Sequence, residues 1–252
     1  MSKRPSEVGT LIEWFETHDV DEMRRLVDAG VDVKTPHRGM SISTWYLESY
    51  MRSTRFSEGL VLLLDAGATL DDPALAPVLL DDSDAIRAAA AADPRWMDHV
   101  VSMRSTFTSL RGATLLHLAA EYGLEGAAEA LLALGADPNA CAALDEHGRG
   151  GHTPLFHTVH AHRDFGAPVR RRLLEAGARV DVLVAALPWG EGFEWETTFL
   201  DVTPLSYCHQ GLLRQVHRDE ETIYGVLREL LEAAGRPVPP LPNVPNAYLK
   251  RR

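Results

Sequence analysis

The sequence predicts an all-α repeat protein, a solenoid of small helical units, and two recurring signals carry that prediction. The first is the phrase Leu131-Leu132-Ala133-Leu134-Gly135-Ala136, which returns in altered form from Leu173 to Ala178, from Leu63 to Ala68 and from Leu26 to Val31. Each copy reads as a helix ending. Adjacent and i+3/i+4 leucines supply one apolar stripe, and the glycine takes the left-handed conformation just past the last turn, which a β-carbon disfavours. The second signal is a helix start: Thr114-Leu115-Leu116-His117, Thr153-Pro154-Leu155 and Thr203-Pro204-Leu205. A threonine hydroxyl caps free amides there, and proline fits the first turn where no donor is needed.

The pairing of the two signals from Gly112 onward resembles the ankyrin repeat, whose opening signature is T-P-L-H-x-A. The resemblance is densest over residues 112 to 182 and departs from the pattern at Leu115, where proline is usual, and at Phe156 and Ser206. It implies an ankyrin-repeat solenoid of about six helix-turn-helix units with enlarged finger loops, residues 1–252 forming a single domain. The units fall at 8–33, 42–69, 72–93, 112–137, 151–180 and 201–236, followed by a proline-rich C-terminal cap and tail at 237–252.

The third unit lacks the glycine. Gly67 to Gly135 spans close to two ankyrin periods, so a unit must lie between them. There Asp72-Pro73 opens a short helix, residues 81–83 turn, and Asp84 to Ala92 forms a second helix closed by Asp93-Pro94. The acidic run at residues 81–84 reads as helix capping and not as a calcium site. Units five and six are longer from threonine to glycine and are expected to carry insertions between their helices. In the tail, Val238, Leu241 and Val244 are expected to cover the last unit along an extended path.

Bulk properties agree with a single array. A chain of 252 residues with 45% hydrophobic content supports a continuous stacked core. Membrane spans need roughly 18 or more consecutive apolar residues, and no run approaches that, so a cytoplasmic protein is expected. Cys141 and Cys208 read as ordinary reduced cysteines. The net charge of -11 argues against nucleic acid, whose binding rests on neutralising phosphates, and favours a basic partner. Abundant arginine and alanine with only Lys3, Lys34 and Lys250 suggest a GC-rich bacterial source.

Function should lie in the connections, because the helices are committed to stacking. By the ankyrin period the connections at 94–113, 137–152 and 183–203 are all long. The last holds Trp189, Phe193, Trp195 and Phe199 with Glu191, Glu194, Glu196 and Asp201, and no lysine or arginine. Aromatic residues are over-represented in binding hot spots, and charge of one sign steers a partner of the other. The alternative is that the aromatics fold back over units five and six with the carboxylates merely solvated.

The middle connection contributes His147, Arg149 and His152 as candidate contacts, and its three glycines predict mobility. The first contributes Arg104, Phe107 and Arg111. Its segments 99–104 and 106–111 are compatible with a short hairpin, and its arginines are expected beside the acidic connection.

Metal and catalytic readings are weak. His157, His160 and His162 are close in sequence but lack the carboxylate and cysteine partners of recognised zinc sites. His117 has a structural role in the resemblance, bonding within the stack. No nucleophile elbow, phosphate loop or H-E-x-x-H is present, and Arg170-Arg171-Arg172 reads as a solvated face. The expected protein is therefore not an enzyme and needs no cofactor or metal. It is a protein-binding module, monomeric when unbound. Divergent single-domain proteins similar to it occur as immunity proteins that neutralise a cognate toxin, which an acidic surface would suit if the toxin were basic. A general adaptor with several partners is the other reading.

Overall fold

The computed structural model describes residues 7–159, 164–209 and 220–238. The amino-terminal residues 1–6, His160 and His162, the expected insertion of unit six, and Leu241 and Val244 of the expected cap lie outside them.

The chain is largely helical. Helices α1 (Glu7–Phe15) and α2 (Val20–Asp28) pack together, as do α3 (Ile42–Leu47) and α4 (Phe56–Asp65). A single 3-10 turn at Pro73–Leu75 leads into α5 (Ala76–Leu79), which packs on α6 (Ser83–Ala92). A further turn at Pro94–Asp98 follows. Then come α7 (Leu115–Tyr122) with α8 (Glu125–Ala133), a 3-10 turn at Pro154–Thr158 with α9 (Ala167–Glu175), and α10 (Pro204–Cys208) with α11 (Glu220–Ala233). First members stack on first members, as α1 on α3 and α5 on α7, and second on second, as α6 on α8 and α8 on α9.

The leucine-glycine phrase closes these helices by one recurring bond. The residue after each glycine donates its amide to a carbonyl five residues back: Val31 to Leu26, Ala68 to Leu63, Ala136 to Leu131 and Ala178 to Leu173, at 2.8–3.1 Å. The geometry requires a left-handed residue between donor and acceptor, and Gly30, Gly67, Gly135 and Gly177 supply it at φ of 88–99°.

Capping also links units. Asp82 accepts the amides of Asp84 and Ala85 and so starts α6, whereas Asp81 reaches across to the Ala127 amide in the first turn of α8 at 2.6 Å. One acidic run therefore serves two helices.

A single core runs from Leu11 to Leu230. Part of it is a chain of rings: Phe15 lies edge-on to Tyr46, Tyr46 stacks on Phe56, and Phe56 stacks on Tyr122 with centroids 4.3 Å apart. Tyr122 also donates to the Leu47 carbonyl at 2.8 Å, tying α7 to α3.

Three expectations are corrected. The fold is not all-α, because the 183–203 connection forms an antiparallel ribbon of β1 (Val184–Trp189) and β2 (Thr197–Val202), with Ala186 opposite Leu200 and Trp189 opposite Thr197. The β-branched and aromatic residues Val184, Trp189, Thr197, Thr198, Phe199 and Val202 favour extended chain there, and Gly190 and Gly192 turn it with positive φ. The 99–104 and 106–111 segments make no hairpin with each other; Val101 instead pairs with Ala113, and Thr108 with Trp189. Finally, Arg170 is not a solvated residue. Its side chain is 2% exposed and bonds Asp164, Glu229 and the Thr158 carbonyl, while Arg172 pairs with Glu125 and Glu129 at the surface.

Candidate partner-binding surface

The long connections share a backbone. Trp189 pairs with Thr108, and the Gly190 amide donates to the Phe107 carbonyl at 2.8 Å. On the same edge of β1, the Gly150 amide donates to the Ala186 carbonyl at 2.8 Å, and away from β1 the Ala143 amide donates to the Gly112 carbonyl at 2.9 Å, joining the middle connection to the first. Strand β1 is thus central, with β2 on one side and pieces of the two other connections on its far side.

The middle connection is closed and not loose. The Asp145 carboxylate accepts the amides of His147 and Arg149 and the Arg149 guanidinium. These backbone and side-chain donors hold its carboxyl down to about 2. Gly148, Gly150 and Gly151 all have positive φ, so the glycines are spent on turning the chain.

Side chains complete the platform. Glu191 accepts from Ser109 and from the Arg111 guanidinium. Glu196 accepts the Gly192 amide at 2.8 Å and pairs with Arg149 at 2.7 Å, which together hold its carboxyl below the usual range. Arg104 lies 4.1 Å from the Phe193 ring centroid, donates to the Gly192 carbonyl and pairs with Glu48. Between the first and last connections is a cleft of about 440 Å³ lined by Ser102, Met103, Arg104, Arg111, Glu191 and Gly192.

The candidate residues therefore divide. Phe193 stacks on Trp195 at 4.6 Å at the ribbon tip, and Trp195 is 46% exposed. Glu194 and His147 are also exposed. Trp189 and Phe199 pack against the core, Phe199 edge-on to Tyr207. Phe107 and His152 are buried, at 8% and 1% exposure, so neither offers surface to a partner in this conformation. His152 donates from Nε2 to the Ser109 carbonyl, and its own carbonyl accepts from Ala142 and His117. No local signal marks this burial, because a histidine in a glycine-rich stretch reads as surface.

Behind the platform is a buried polar cluster. Glu121 accepts from Arg52 at 3.0 Å, from Ser105 at 2.9 Å and from His157 Nδ1 at 2.8 Å. Burial pushes the Glu121 carboxyl up, but Arg52 and His157 outweigh it and leave the group below its ordinary value. His117 accepts the Thr114 amide at Nδ1, closing the α7 capping box, and donates from Nε2 to His152. These groups are closed to solvent and bonded largely to each other, although His152 Nδ1 and His157 Nε2 are buried without a hydrogen-bond partner among the described residues. Among the described residues, no three His, Cys, Asp or Glu side chains are placed to hold a metal ion.

Stacked helix pairs joined by long connections are the architecture of a helical repeat. Residues 111–143 match the ankyrin repeat family model. Ankyrin repeats generally mediate protein–protein interaction. No curated protein matches the chain. Among the described residues, no helix is long and apolar enough to cross a membrane.

Proposed function

We propose that this chain is a non-catalytic module that binds one protein partner through the ribbon tip and the connections joined to it. The observation that carries the reading is the Phe193–Trp195 stack, with Trp195 exposed, held in place by Arg104 and by bonds between connections. A rigid aromatic anchor loses little freedom on binding, so less of its contact energy is lost to ordering. Arg104, Arg111 and Arg149 are already engaged within the platform, whereas the Glu194 carboxylate is exposed. That charge, with the net -11 of the chain, favours a partner with a basic surface.

The reading includes one continuous array over residues 1–252, with the six units given above, acting as a monomer in a bacterial cytoplasm. Its narrowest form is an immunity protein that neutralises a basic toxin. Affinity capture from the source cells followed by mass spectrometry tests it. One basic protein retained by the wild type and lost by Trp195→Ala and Glu194→Lys is the expected result. A set of unrelated proteins held through the same tip would make the chain an adaptor, and capture indifferent to both substitutions would sink the proposed surface.

A further inference from the structure

The backbone bonds of β1 determine which way β2 faces. The Ala186 carbonyl accepts from Gly150 on the side away from β2. Ala186 and its partner Leu200 therefore form a non-hydrogen-bonded pair, in which both residues direct their N–H and C=O groups outward. By the same alternation Pro188 faces away from β2, where its missing N–H costs nothing, and Thr198 opposite it faces outward. Thr198 and Leu200 thus present amides and carbonyls on the free edge of β2 that are unpaired among the described residues.

Natural sheet edges are commonly protected by lysine, proline, a bulge or a covering element. Among the described residues, none of them protects this edge between Thr197 and Leu200. The only irregularity is Asp201 at φ 50°, beyond the last of these residues. Leu200 is 71% exposed, the largest exposure among the large hydrophobic residues described. Carboxylates bracket the strand: Glu194 and Asp201 are both exposed and neither accepts a bond or ion pair among the described residues.

We infer that the free edge of β2 takes up an extended segment of the partner protein, in which basic and aliphatic residues alternate, as an added strand. The inference rests on the proposed binding role and specifies its geometry. Main-chain bonds at Thr198 and Leu200 supply the pairing, Leu200 supplies an apolar contact, and Glu194 and Asp201 supply the charge match. A second copy of this chain is a poor occupant, because edge pairing would bring these carboxylates together in a chain already at -11.

The test uses a short synthetic peptide alternating lysine with valine, and its fully N-methylated analogue, with the full-length protein. Amide exchange followed by NMR is expected to show protection of Thr198 and Leu200 rising at least about tenfold with the parent peptide, while Phe199, already bonded to β1, is unchanged. Leu200→Lys is expected to weaken binding by about tenfold or more, and Thr198→Pro, which removes an outward N–H, by a similar factor. Should Thr198→Pro disturb the ribbon, Leu200→Lys still decides, since an exposed side chain is exchanged. Equal binding of the N-methylated analogue, unchanged exchange at the two amides, or peptide-free dimerisation through this edge overturns the inference. Retained dependence of partner capture on Trp195 in any of those cases would show that the binding role stands and only the edge geometry is wrong.

Discussion

Arg52 and Glu121, 69 residues apart in sequence, meet as a buried ion pair with both side chains 3% exposed. Arg52 also donates to the Ser49 carbonyl at 2.7 Å and lies over the Tyr122 ring at 4.6 Å. The pair joins the chain ahead of α4 to α7, and it anchors the first long connection through Ser105. Breaking one side leaves the other charge without compensation. Glu121→Gln is expected to lower stability by about 3 kcal/mol, and Arg52→Leu with Glu121→Leu by at least about 1 kcal/mol less. Urea denaturation of the two variants checks this, and an equal loss in both would refute it.

Acid should loosen the fold before the carboxylates titrate. Burial, aided by Arg52, holds the His18 imidazole down to about 3, and burial with His157 nearby holds His117 there too. Burial also keeps His152 well below the ordinary range. Unfolded, each takes up its proton near pH 6.5, so below that pH the unfolded chain binds more protons. Stability is then complete above about pH 6.5 and falls toward pH 3, by up to about 1.4 kcal/mol per pH unit for each such group. Thermal melting across pH 8 to 4 should show the decline starting near 6.5, with a shallower slope in His18→Asn.

The two tryptophans of the ribbon should separate stability from binding. Trp189 packs against the core, whereas Trp195 stacks on Phe193 and lies over Gly190 at the half-exposed tip. Trp189→Ala is expected to cost about 2–3 kcal/mol and Trp195→Ala less than about 1 kcal/mol. Calorimetry paired with partner capture reads both quantities. A large stability loss in Trp195→Ala would identify it as cover.

Glycine at the end of α7 is more constrained than its repeats. Gly123 has φ 67°, and an added β-carbon would meet the Phe165 ring at 2.6 Å, whereas at Gly135 it would meet nothing within 4 Å. Gly135→Ala is expected to cost about 1 kcal/mol from backbone strain alone, and Gly123→Ala about 2–3 kcal/mol. Chemical denaturation gives the difference directly.

The regular parts of this architecture were legible because they depend on local signals. The leucine-glycine phrase encodes a helix end within six residues, and Asp72 and Asp82 encode helix starts within four. The ribbon was missed because an aromatic-rich connection has no period that separates a loop from a short strand pair. Burial of His152 and Phe107 was unreadable for a different reason. It depends on Ser109 and Trp189, which stand 43 and 82 residues away, respectively. Arg170 illustrates the same point, since one member of an Arg-Arg-Arg run turns inward where Asp164, the Thr158 carbonyl and, from a later helix, Glu229 receive it. The acidic character of the ribbon and the placing of Arg111 beside it were visible, but the pairing of Glu196 with Arg149 of the middle connection was not.

The bonds from Gly150 to Ala186 and from Gly190 to Phe107 make the connections interdependent. Shortening one, or grafting the ribbon alone onto another repeat scaffold, would remove the supports that fix its tip. Loop engineering here must move all three segments as one cassette, together with the helices that anchor their ends.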